Sequence, residues 1–273
     1  MQNKFRTYTN AISWSLFFAL ILAAWSALYL MAMRQMAVMP AALLGPGMPF
    51  LIEGKIAPNK LPFLLEALCV TGPEASLLSY VGMWLLMSAA MMAPTAFPML
   101  LSYRKIEKAP TLGFYALLLG YLSIWAFFSV IAAGAQSLLF RAELLTLGGF
   151  FKAPMLSALL LFLAGAYQFS SLKQACLNQC QSPMVYFLGR WQPGLWGAYR
   201  MGIEQGFFCL GCCFVLMALA FVGGTMNLLW MGIGMLLMSL EKFPVMGRFL
   251  TIPLGLMLIL ASLWIASAIL LGL

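Results

Sequence analysis

The chain contains no histidine among its 273 residues, and only seven of its side chains are acidic. The first absence removes imidazole, both as a metal ligand and as the group that exchanges protons near neutral pH. Charged residues of all kinds make up 8% of the sequence, against about 25% in an ordinary soluble domain. So few charges cannot cover a surface in water. A Walker-type glycine–lysine loop and a G-x-S-x-G elbow are missing as well, which leaves no support for a nucleotide-driven pump or a serine hydrolase. A role without catalysis is the expectation.

What the sequence has in abundance is apolar: 64% of residues are hydrophobic and the mean hydropathy is +0.97. Lipid is the solvent that fits. The 15 Lys and Arg residues give a formal charge of +8, but they stand singly or in small groups between apolar runs. That spacing suits helix-end anchors and topology signals, not a stripe for nucleic acid.

A helix needs about 20 mainly apolar residues to cross the hydrocarbon layer. Seven stretches meet or approach that length: 11–33, 77–101, 112–135, 154–173, 198–219, 223–240 and 251–272. The first follows Lys4 and Arg6 but is too long for a signal peptide and lacks a small-x-small cleavage site, so it reads as a retained helix. The fold class is therefore all-α: a polytopic transmembrane bundle of about seven helices, one membrane domain spanning 1–273. Between the fifth and sixth stretches, Phe221 to Gly224 is the expected turn.

Residues 34–73 hold Pro40, Pro46, Pro49, Pro58, Pro62 and Pro73 among several glycines, which reads as a Pro/Gly-rich loop over the bundle mouth. Basic residues favour the cytoplasmic ends of membrane helices. With the N-terminus inside, Lys4, Arg6, Arg104, Lys105, Lys108, Lys173, Arg190, Arg200, Lys242 and Arg248 all fall on that side. The opposite side receives the 34–73 loop, Arg141 and Lys152, and the C-terminus. Gly202 and Gly206 form a G-x-x-x-G spacing that permits close helix contact, within the bundle in preference to a dimer.

Five of the six cysteines are clustered. Cys176 and Cys180 lie four apart, Cys209, Cys212 and Cys213 form the run C-L-G-C-C, and Cys69 stands alone. Spacings of three and four share a helical face, so each group can converge. Thiolate and thioether sulfurs suit Cu(I) and Zn; the competing interpretation is that cysteine is a compact core residue. Thiol–disulfide exchange is a weaker alternative, since an apolar helix restricts access by a redox partner.

In Met87 to Met99, Pro94 and Pro98 should open the second helix by removing bonds to the carbonyls of Ala90 and Pro94. Met91 and Met92, beside that break, are candidate thioether ligands. Glu204 is a candidate for guiding a cation, or else pairs with Arg200 four residues earlier. Glu241 and Lys242 read as a helix-end anchor or inter-loop ion pair.

Three blocks resemble the family of predicted metal-binding integral membrane proteins, a domain of unknown function numbered 2182. They are Met87 to Met99; Ala164 to Gln168 continuing through Lys173, Cys176, Cys180 and Pro183; and Gly202 to Cys213 continuing through Met217, Gly224, Met226, Asn227 and Glu241-Lys242. Together they mark a family-like core over about 75–248. The resemblance implies a multi-helix fold of a bacterial inner membrane and an association with metal, and some members are labelled copper chaperones. This sequence departs from the family at Gln205, where members often carry histidine.

The leading reading is a membrane scaffold or accessory protein that handles a soft metal, most plausibly copper as Cu(I). Cys176, Cys180, Cys209, Cys212 and Cys213 would bind, with Met91 and Met92 as relays. A metal-free subunit of a larger membrane complex, contacted through the 34–73 loop, is the first alternative. A small-solute transporter built on the broken second helix is the second.

Overall fold

Hydrocarbon offers peptide groups no hydrogen-bond partner, so apolar stretches that enter it fold as helices. The computed structural model describes residues 2–38, 47, 75–106, 110 and 112–271. Most of the 34–73 loop, including Cys69, lies outside the described residues, as does its role as a partner surface. Among the described residues the chain forms helices, with one isolated bridge between Leu145 and Phe151. In order they are α1 (Gln2–Val38), α2 (Leu77–Thr95), α3 (Phe97–Arg104), α4 (Gly113–Arg141), α5 (Pro154–Gln168), α6 (Ser171–Gln181), α7 (Pro183–Arg190), α8 (Gly194–Ala218), α9 (Ala220–Gly223), α10 (Leu228–Glu241) and α11 (Pro244–Leu271).

Among the described residues five helical stretches are long and apolar enough to cross a membrane: Ala11–Gln35, Leu77–Thr95, Gly113–Arg141, Gly194–Gly223 and Pro244–Leu271. A sixth is the pair α5 and α6, bent by 62° at its break, and the seventh expected stretch is the shorter α10. Large apolar side chains cover the outside: Leu78, Leu138, Trp264 and Leu270 are each more than 65% exposed. In water that surface would aggregate; in lipid it is the solvated face. The chain is an α-helical membrane protein.

The turn before α10 comes later than expected. Helix continues through Phe221 to Gly223, and the reversal runs from Gly224 to Asn227. Gly224 takes φ 101°, in the region that favours glycine. Asn227 then caps α10, its side-chain oxygen accepting from the backbone N–H groups of Leu229 and Trp230.

The bundle is organised around the contact of α4 with α8. A Cβ on Gly120 would collide with the backbone oxygen of Tyr199, and one on Gly202 with that of Leu117. Gly206 meets Ile124 and Tyr121 of the same neighbour. Small residues thus let two backbones touch, which is the main packing force available in lipid. The G-x-x-x-G face is used inside the bundle. On its other side α4 ties to α2 through Trp84 Nε1 donating to Gln136 Oε1 (2.7 Å) and through Ser88 and Ser129 (3.0 Å). Helix α11 packs against α5 in a smaller apolar cluster of Leu161, Ala164, Leu219, Leu254 and Leu258.

Replacing Gly202 by Val should lower the melting temperature in detergent sharply. The cost is at or above the ~1–3 kcal/mol of ordinary overpacking, because the obstacle is a backbone oxygen. Gly134→Ala, where a Cβ meets nothing within 4 Å, should leave stability unchanged or slightly raised. Equal melting of both variants would refute this account of the contact.

Candidate metal centre

The break in α2 begins the site. Pro94 leaves the carbonyl of Ala90 without its helical donor, and Trp25 Nε1 of α1 supplies one at 3.0 Å. Beyond Pro94 the ladder tightens: the N–H of Ala96 bonds Ala93 and not Met92. The carbonyl of Met92 is taken instead by Thr95 Oγ1 (2.8 Å) and Tyr121 OH (3.2 Å). These carbonyls are therefore capped by side chains. The Thr95 and Tyr121 hydroxyls, 2.9 Å apart, are held beside α8.

On α8, the sulfurs of Cys209, Cys212 and Cys213 lie within 4.8 Å of one another, all buried. Cys212 and Cys213 are 3.2 Å apart, and the Cys212 thiol also donates to the carbonyl of Cys209 (3.2 Å). Cys209 is the best connected: Lys242 Nζ and Tyr121 OH each stand 2.9 Å from its sulfur, and Thr95 Oγ1 is at 3.9 Å. From α6, buried Cys180 lines a small cleft with Thr95, Ala96, Met99, Tyr121, Gln205, Cys209 and Lys242. Gln205 is buried there, and its Nε2 makes no hydrogen bond.

Of the sequence candidates, Cys180, Cys209, Cys212 and Cys213 come together. Cys176, half-buried, packs its sulfur on the bare Cα of Gly211, one residue from Cys212. The two methionines part company, as neighbours on a helix must: Met92 Sδ lies 4.0 Å from Thr95 Oγ1, whereas Met91 faces Gly234 of α10. Glu204 sits apart from the thiols. It accepts from Tyr186 OH (2.6 Å) and pairs with Arg190 (3.4 Å), not Arg200. Burial, then the bonded Glu204 carboxylate, pushes the Tyr186 phenol well above its ordinary value, so it remains a donor.

Lys242, Tyr121 and Thr95 were not among the sequence candidates. Lys173 and Lys242, expected as charges at the cytoplasmic helix ends, are both buried, and neither serves as a topology signal. Lys242 Nζ also donates to Thr95 Oγ1 (2.7 Å) and faces the Tyr121 ring at 5.9 Å. Its neighbour Glu241 turns the other way and accepts two bonds of 2.9 Å from Lys173 Nζ. Gln168 completes the lysine's shell across the α5–α6 bend, while Gln181 Nε2 holds the Glu241 carbonyl at 2.8 Å. The sequence signals for a special role were the Glu-Lys dipeptide within the third family-like block and, for Thr95, its place within the first.

The donor set is soft and fits a soft ion. Three sulfurs bonded to one ion at ~2.3 Å in a plane would stand about 4 Å apart, inside the observed separation. The model of a family described as PpoB2, copper chaperone, matches residues 81–265, more than half of the chain. No curated protein and no solved structure matches it.

Substituting Lys173 by Met strands the Glu241 carboxylate without its cation, which should cost about 3–5 kcal/mol and appear as a large fall in melting temperature. Pairing it with Glu241→Leu should recover most of that loss. A double variant as unstable as the single would contradict the ion-pair account.

Proposed function

The chain belongs to the PpoB2 copper-chaperone family, and from that premise we propose that it carries Cu(I) on sulfur within the membrane and hands it on during delivery or cofactor assembly. The observation behind this reading is the buried trio Cys209, Cys212 and Cys213, with Cys180 from a second helix lining the same cleft as Cys209. Soft sulfur donors favour Cu(I) over harder cations, and Met92 lies close enough to the same polar cluster to act as a weak, exchangeable partner.

Charge supports a monovalent cargo. Thiols shed their protons as metal binds, so Cu(I) on two thiolates carries one negative charge. In a buried site that charge needs a counter-ion. The Lys242 ammonium, 2.9 Å from Cys209, supplies one positive charge where it is needed. Because Glu241 is already paired with Lys173, Lys242 remains available to the copper complex.

The proposed setting is a bacterial inner membrane, with the N-terminus cytoplasmic and the C-terminus outside. Lys4, Arg6, Lys105, Lys108, Arg190 and Arg200 keep the inner-side bias after Lys173 and Lys242 are set aside. In that orientation α2 and α10 both finish toward the cytoplasm, which puts the thiols nearer that face. One membrane unit over the chain, with its family-like core over about 75–248, carries the site.

Protein purified without chelator should contain close to one copper per chain. Cys209→Ser combined with Cys213→Ser should lose it while melting like the metal-free wild type. Metal-free native protein, with a double variant unchanged in behaviour, would end this reading and return the chain to a structural role.

A further inference from the structure

Among the described cysteines, four are buried and Cys176 alone is half-buried. It lies on α6, and α6 is unlike its neighbours. Its inward side carries Lys173, Leu177 and Cys180, while Ser171, Gln174, Asn178 and Gln179 are exposed together with one large apolar side chain, Leu172. A helix with a mainly polar, uncharged outer face and one apolar anchor, after a 62° bend, lies at the water–headgroup boundary and not among acyl chains. Cys176 sits at the margin of that polar face.

From there the sulfurs form a path. Cys176 and Cys180 are one helical turn apart, a rise of about 6 Å, on the same side of α6. Cys180 lines the same cleft as Cys209 of the trio, in which the sulfurs of Cys212 and Cys213 are 3.2 Å apart. Gly211 is part of the construction. A side chain at 211 would fill the place of the Cys176 sulfur, and Tyr167 OH fixes that turn by donating to the Gly211 carbonyl (2.6 Å).

Other approaches oppose a cation. The lipid-facing side of α8 presents Phe207 and Phe214, 55% and 38% exposed. The cleft beside Met99 leads to the Lys242 ammonium against Cys209, which repels incoming positive charge. Lys173, on α6 itself, is neutralised by Glu241.

Resting on the copper reading above, we propose that Cys176 is the receiving thiol: it takes Cu(I) from a thiol-bound carrier on the aqueous side and passes it through Cys180 to the buried trio. Each transfer forms one Cu–S bond and breaks one. The accepting thiol gives up a proton, the departing thiolate regains one, and copper stays monovalent, so no oxidant or reductant takes part. Cys176 thereby sets the rate of loading and not the final occupancy.

The test loads the full chain in detergent with the Cu(I)–bicinchoninate complex. Cys176→Ser should reach the same copper content as the wild type but at least about tenfold more slowly, a barrier rise of roughly 1.4 kcal/mol. Loading at the wild-type rate overturns the proposal. So does a lowered final content, which would make Cys176 a resident ligand. In metal-free wild type, a charged maleimide followed by peptide mass spectrometry should modify Cys176 before Cys209, Cys212 or Cys213. Modification of the trio at the same pace overturns the route. A wild type that holds no copper is a separate failure, that of the copper reading itself, and the maleimide order still reports which thiol water reaches.

Discussion

The contact of α4 with α8 is the constraint on which the remaining geometry depends. In lipid there is no hydrophobic collapse to press helices together, so their separation is set by the atoms at the crossing. Gly120 and Gly202 bring backbone onto backbone. That approach carries Tyr121, the residue after Gly120, to hydrogen-bonding distance of Cys209. A wider crossing would move the phenol off the sulfur, in a medium that offers neither group another partner.

From that crossing the polar groups of the interior follow as one connected set. The break at Pro94 in α2 frees carbonyls, and each finds a side-chain donor: Trp25 for Ala90, and Thr95 with Tyr121 for Met92. Thr95 in turn receives Lys242, and Lys242 reaches Cys209. The thiols are thus embedded in a hydrogen-bonded framework contributed by α2, α4, α6, α8 and the end of α10. A metal site supported in this manner has its ligands oriented before the ion arrives, which is the usual service of residues behind the ligands.

The helical class and most element positions were legible in the sequence because hydropathy over twenty residues is an additive signal. Convergence of Cys209, Cys212 and Cys213 was legible for a similar reason, as helical spacing fixes it locally. What spacing could not reveal is which partner stands opposite. Tyr121 and Thr95 look like ordinary residues of apolar helices, and only the crossing angles give them a sulfur to face. Lys173 and Lys242 misled because a lysine near a helix end most often reaches water; here the 62° bend and the C-terminus of α10 turn both inward. Glu204 chose Arg190 over Arg200 because α7 folds back against α8, a tertiary fact invisible to an i, i+4 rule. The turn at Gly224 was displaced because Asn227, not the earlier glycine pair, ends the reversal by capping α10.

Glu241 and Lys242 are consecutive, yet they serve separate networks at the same helix end. About 100° of helical rotation separates adjacent side chains, so the order of the dipeptide is a matter of handedness. Reversed, it would aim a carboxylate at the sulfurs and a cation at another cation. The same two letters in the other sequence would spell a chain whose interior repels itself, although its composition, hydropathy and net charge would be identical.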